Sequence, residues 1–137
     1  MKDQNVRFRV RYAETDQMGI VYHANYLIWM EIGRVEYCRA AGLRYKDLEA
    51  DEGINLAVVE AECRYLKPAH YDDMVTVRTV VAEAASRAVE FRYEIWREET
   101  QDVLATGRTR HIFLGKDLKP KKLPPEFWPV FGIAGRK

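Results

Sequence analysis

Two cysteines, Cys38 and Cys63, are all that the 137 residues contain. So few cannot make a disulfide-stapled scaffold, and they read as reduced thiols. Charge of one sign is also missing: 22 basic and 21 acidic side chains leave a formal net charge of +1. Nothing in that balance asks for nucleic acid or an anionic membrane surface. No apolar run approaches the roughly 20 residues of a membrane span. The polar Lys2-Asp3-Gln4-Asn5 after Met1 does not resemble a secretory leader, so a cytoplasmic location is expected. There is no glycine-rich phosphate loop, no internal repeat and no low-complexity segment. His70 and His111 lack metal-ligand spacing to Cys38 or Cys63, so neither metal nor cofactor is expected.

What is present is an ordinary globular composition, 47% hydrophobic and 31% charged, in a length that suits one domain over residues 1–137. Val6–Tyr12 alternates apolar with basic residues and predicts a half-exposed strand. The period then changes. From about His23 to Ala41, the residues Tyr26, Leu27, Met30, Tyr37, Cys38 and Ala41 share one helical stripe, with Gly33 and Arg34 between them and Glu31, Glu36 and Arg39 largely off it. Trp29 lies beside the stripe, where it could contact a partner subunit. Gly42 suits the helix end, and Tyr45–Glu52 reads as a short second helix.

Four more strands are predicted, at Ile54–Leu66, Asp73–Glu83, Ala88–Glu98 and Val103–Gly115. The third of these is the cleanest, with Val89, Phe91, Tyr93 and Ile95 alternating with Glu90, Arg92 and Glu94. In the last, Ala105 and Gly107 are small enough to let a helix lie close. Pro120, Pro124, Pro125 and Pro129 preclude a regular central strand from about residue 116 onward. Lys116, Lys119, Lys121 and Lys122 there read as a solvated basic face. The order strand, long helix, four strands is α+β with an antiparallel meander. One helix covers only part of a five-stranded sheet, which favours oligomerisation.

Residues 11–26, RYAETDQMGIVYHANY, carry the chemistry. Asp16 sits in a polar turn just ahead of the helix. A carboxylate there lies beside unpaired backbone N–H donors and the positive end of the helix dipole. It can attack a carbonyl or activate water while the donors hold the oxyanion. The structural alternative for Asp16 is an Asx-turn. Glu14, in the same loop, is read as a solvated charge.

With Tyr12, Thr15-Asp16, Gly19, Val21-Tyr22 and Asn25-Tyr26, then Arg64-Tyr65-Leu66-Lys67-Pro68-Ala69, Asp72-Asp73 and Ala105-Thr106-Gly107, the chain resembles the hotdog-fold acyl-CoA thioesterases. These are the 4-hydroxybenzoyl-CoA thioesterase-like group, and the likeness runs over roughly residues 5–127. Within it the chain is most similar to the Tol–Pal-associated branch, which carries histidine at the position of His23. The resemblance implies an α+β hotdog fold, a five-stranded antiparallel sheet wrapped around one long central helix. It implies hydrolysis of a short- to medium-chain or aryl acyl-CoA, with Asp16 as the catalytic carboxylate. The His23 N–H would be the oxyanion donor, the His23 imidazole an optional acid or base, and Tyr22 and Tyr26 would border the substrate. Arg87 and Lys116 are candidate phosphate contacts, and an acyl carrier protein is a possible alternative carrier. The resemblance also implies a homodimer or dimer of dimers, a homotetramer in the latter case. Leu56–Glu60 of one chain, with Val58 or Val59, would then approach the Asp16 loop of the other. The rival readings are a hotdog-fold hydratase or dehydratase and a non-catalytic acyl-CoA or acyl carrier protein binder.

Overall fold

The alternation of apolar and charged residues becomes five antiparallel strands. The computed structural model describes residues 3–43, 45–48, 50 and 53–134. Strand β1 is Asp3–Arg9, helix α1 is Asn25–Ala40, and α2 is a single turn, Tyr45–Asp47. Strands β2 to β5 follow at Asn55–Tyr65, Met74–Ala84, Ala88–Arg97 and Asp102–Leu114. The sheet order is β1-β3-β4-β5-β2. The chain therefore leaves one edge of the sheet, crosses its face as α1 and rejoins at the opposite edge. Among the described residues no helix is long and apolar enough to cross a membrane.

Three expectations change in position. β1 begins earlier than the alternation suggests and stops at Arg9. Val10 turns inward to exchange backbone hydrogen bonds with residues 72 and 73, which throws Tyr12 out to solvent at 76% exposure. The second helix is α-helical over Tyr45–Asp47 and takes π-helical form at residues 48 and 50, while residues 49, 51 and 52 of its expected span lie outside the described residues. The segment after residue 116 is more than a tail. Pro125–Phe131 forms a 3₁₀ helix, and Phe131 packs against Phe91 and Phe113 while Leu123 is buried beside the same core. Residues 135–137 lie outside the described residues.

The helix stripe is also rotated from its expected phase. The buried residues of α1 are Tyr26, Trp29, Met30, Gly33, Arg34, Tyr37 and Cys38, whereas Leu27 and Ala41 are exposed. Trp29 is fully buried, so it is a core residue of its own chain and not a surface contact. Its indole N–H donates to Glu14 Oε2 at 2.8 Å, and the Arg11 N–H donates to Glu14 Oε1 at 2.8 Å. Glu14, expected to be solvated, is only 6% exposed. Its carboxylate can be buried because both oxygens are hydrogen-bonded and the Arg11 guanidinium lies 3.6 Å away.

Small residues let the helix approach. A Cβ on Gly33 would overlap Thr79 Oγ1 and Val77 Cγ1, and one on Gly107 would overlap Met30 and the Glu62 carbonyl. The outer face of the sheet is charged. Arg108 pairs with Glu62 at 2.8 Å and Glu90 at 3.4 Å, and Arg78 with Asp3 at 2.7 Å and Glu94 at 3.3 Å. Edge strand β2 is eleven residues long and mostly exposed, with Val58 and Val59 open to solvent beside a bulge.

Candidate active site

Asp16 opens a tight loop between the 3₁₀ turn Tyr12–Glu14 and the start of α1. Its N–H donates to the Ile20 carbonyl at 2.8 Å, and its carbonyl accepts the Gly19 N–H at 3.0 Å. Gly19 has φ of 81°, a left-handed conformation that a glycine adopts without strain. Asp16 Oδ1 accepts the Met18 N–H at 2.8 Å, which is an Asx-turn. That contact engages one carboxylate oxygen and, among the hydrogen bonds of the described residues, leaves the other without a donor. The structural and the chemical readings of Asp16 are thus compatible.

Beyond the loop, the chain is stitched to the segment after β2. Val21 bridges Thr15, Ile20 bridges His70, and the Val21 N–H donates to the Ala69 carbonyl at 2.9 Å. These contacts bring Leu66, Lys67 and Pro68 alongside Asp16. Together with Met18, Ile20, Val21, His23, Tyr26 and Tyr65 they line a cleft of about 330 Å³. Its walls are largely apolar, with Asp16 and His23 as the polar groups at the helix end. A larger hollow of about 700 Å³ lies on the outer sheet face. It is lined by Arg78, Arg92 and Arg108 with Glu62 and Glu94, charges that largely satisfy one another, so the apolar cleft is the better candidate.

The helix starts cleanly. Asn25 N–H donates to the Tyr22 carbonyl and Tyr26 N–H to the His23 carbonyl, and the Asn25 side chain ties back to the Glu14 carbonyl at 2.8 Å. Among the hydrogen bonds of the described residues, the His23 and Ala24 N–H groups have no acceptor. Two orphan donors at the positive end of a 16-residue helix suit an oxyanion. The His23 ring is exposed and lies against Tyr22, with centroids 4.5 Å apart.

Tyr26 is buried and lines the cleft. Its hydroxyl accepts the Ala69 N–H at 3.2 Å, and burial pushes its pKa upward, so it stays a neutral wall. Tyr22 is half-exposed beside the cleft and contributes its backbone N–H to the Glu14 carbonyl. The remaining candidates lie elsewhere in the chain. Val58 pairs with His111, and the Arg87 carbonyl accepts the Phe113 N–H. Lys116 lies over Gly53. These three and Val59, next to Val58, lie toward the Leu114 end of β5, whereas the cleft is at the Ala105 end, roughly 20 Å from Val58 and on the order of 30 Å from the Leu114 end at strand rise. They can reach an Asp16 site only from another copy of the chain. Tyr65 and Leu66–Pro68 line the cleft without having been singled out as site residues. The signal available was Pro68, three residues past the end of β2, in the segment that lines the cleft beside Asp16.

His111 is fully buried under the helix, donating to or accepting from Thr109 at 2.8 Å. Burial and the neighbouring Arg34 lower its pKa to about 4. His70 is exposed and 3.8 Å from Asp73. Neither cysteine forms a disulfide.

One long helix clasped by a five-stranded antiparallel sheet, with a carboxylate loop at the helix start, defines a hotdog-type α+β domain. The chain belongs to the thioesterase-like superfamily, whose description it matches over residues 10–131. It is 32% identical over 133 residues to the acyl-CoA thioesterase YbgC of Haemophilus influenzae, covering 96% of this chain and 97% of that one. Two solved structures superpose closely. The hypothetical protein TT1821 of Thermus thermophilus has a TM-score of 0.89 at 38% identity, over 99% of this chain and 100% of its own. The DHNA-CoA thioesterase of Staphylococcus aureus has a TM-score of 0.91 at 32% identity, over 96% and 90% respectively.

Proposed function

We propose that the protein hydrolyses acyl-CoA thioesters to the free acid and CoA in the cleft between the Asp16 loop and the start of α1. The observation that carries this is a carboxylate and orphan helix N–H groups at one apolar cleft. The similarity to named acyl-CoA and DHNA-CoA thioesterases supports it. The thioester carbonyl would lie over the helix start, with its oxygen on the His23 N–H and the helix dipole favouring the negative charge that develops. Asp16 then attacks the carbonyl carbon, the C–S bond breaks, CoA leaves as the thiolate, and water hydrolyses the mixed anhydride. In the alternative route Asp16 takes a proton from the water that attacks directly. Both routes need the same carboxylate and the same donors. Release of free thiol from short-chain, medium-chain and aryl acyl-CoAs is the test, and no turnover across that panel would refute the proposal. An acylated carrier protein belongs in the same panel, since the same thioester chemistry at Asp16 would serve either carrier. His23 at the helix start supports placement near the Tol–Pal-associated branch, and reduced thiols suit a cytoplasmic setting.

The imidazole of His23 is exposed, and in this reading its backbone N–H, which has no acceptor among the described residues, is the group that serves the reaction. His23→Ala is therefore expected to keep kcat within about ten-fold of the parent, with the pH–rate profile unchanged in shape. A loss as deep as that of an Asp16 variant, with a missing limb near neutrality, would instead assign the side chain an acid or base role.

We also propose that the working unit is a homodimer or a dimer of dimers. A cleft of about 330 Å³ is at the small end for an acyl-CoA site, and the long exposed β2 edge is a ready template for pairing. A second copy paired along β2 would place its Val58 and Val59 over the apolar wall, and its Arg87 and Lys116 nearer the phosphates. Sedimentation at micromolar concentration is expected to give a dimer or tetramer. A fully active monomer would overturn the shared site.

A further inference from the structure

Tyr65 ends the edge strand β2, and its side chain lies in the same cleft as Asp16 and His23. Its hydroxyl donates to the His23 carbonyl at 3.0 Å. Its ring meets the His23 ring edge-on at 6.2 Å and the Tyr26 ring edge-on at 5.1 Å. The His23 carbonyl is the other end of the peptide group that carries the Ala24 N–H. Among the described residues that carbonyl otherwise accepts only the long 3.3 Å bond from Tyr26 N–H. A donor on the oxygen of an amide draws charge toward it and makes the N–H of the same amide a stronger donor. It also fixes the tilt of that peptide plane, which sets where the N–H points.

We propose that Tyr65 is a positioning residue for the oxyanion site: by holding the His23 carbonyl, its hydroxyl orients the His23–Ala24 peptide and strengthens the Ala24 N–H as a second donor to the reacting oxygen. The inference rests on the reading of the helix start as the oxyanion site. It adds a link from the sheet edge to the chemistry, because Tyr65 closes the strand that the second copy would pair with. Burial and the neighbouring Cys63 thiol raise the Tyr65 phenol to about 12. The hydroxyl therefore keeps its proton, and its donor role, across any ordinary assay range.

Tyr65→Phe keeps the ring contacts and deletes only the donor. Its kcat is expected to fall roughly three- to thirty-fold, less than for losing an oxyanion donor outright, with KM within about two-fold of the parent. Replacing Tyr65 with fluorinated tyrosines of graded acidity, which stay protonated at pH 7, is expected to raise kcat as the phenol becomes a better donor. A merely structural role would not produce that gradient. The assay uses butyryl-CoA or benzoyl-CoA, whichever the parent protein turns over faster. Unchanged kcat in Tyr65→Phe, or a flat fluorotyrosine series, would overturn the positioning role while leaving Asp16 standing. If Asp16→Asn also kept full activity, the reading of the whole site would fall with it.

Discussion

Asp16→Asn protein is expected to fold normally and to lose at least about 100-fold in kcat toward acyl-CoA, with little change in KM. The amide Oδ1 can still accept the Met18 N–H, so the Asx-turn that shapes the loop is retained. What disappears is the negative charge and with it both the nucleophile and the base. Asp16→Ala removes the turn contact as well and is the less clean variant, although its turnover should fall as far. Thiol release and a thermal melt on the same samples decide the matter. A folded Asp16→Asn enzyme with near-parental kcat would remove Asp16 from the mechanism and leave it as a loop residue.

Trp29→Ala is expected to cost about 3–5 kcal/mol of folding stability, a large share of the roughly 5–15 kcal/mol that holds a domain together. Two losses combine. The core loses its largest fully buried side chain, whose ring lies tilted against Tyr26 and meets Phe8 edge-on. Glu14 Oε2 loses its indole donor while still buried. Trp29→Phe separates the two, since it keeps most of the volume and strands the carboxylate, at an expected cost of about 1–3 kcal/mol. Urea unfolding of both variants reads these differences directly. If Trp29 were instead a subunit contact, Trp29→Ala would shift the oligomer equilibrium and leave the melt of each chain unchanged.

The strands were legible because each is long enough for its period to stand out. Val89, Phe91, Tyr93 and Ile95 against Glu90, Arg92 and Glu94 suffice to place β4. The helix was legible in extent but not in phase. Leu27 and Trp29 differ little as apolar residues, and what pulls Trp29 inward is a carboxylate fifteen residues earlier. No helical period carries that information, and the same contact explains why Glu14 reads as solvated until its partners are known. The Asp16 loop and His23 were readable because they are local, eight residues of one segment. Tyr65 and Leu66–Pro68 reach the cleft through pairings such as Val21 with Ala69, which join positions nearly fifty residues apart. Val58, Val59, Arg87 and Lys116 are a different case, because the proposed sharing of the site between two copies would leave no pattern within one chain.

The placement of β1 and β2 at opposite edges has a consequence for how the protein is made. β1 precedes the other strands in the chain, yet its sheet partner among the described residues is β3, where Asp3 pairs with Val80. β3 ends at Ala84, so β1 waits through roughly 75 further residues of synthesis, about 4–15 s at 5–20 residues per second. Over that interval Val6 and Phe8, and the buried stripe of α1 once it is synthesised, lack the β3 strand that pairs with β1. The nascent chain is thus most exposed to proteases and to self-association while the loop bearing Asp16 has already been synthesised. It is safest only once the β3–β4–β5 meander, whose contacts are close in sequence, has closed.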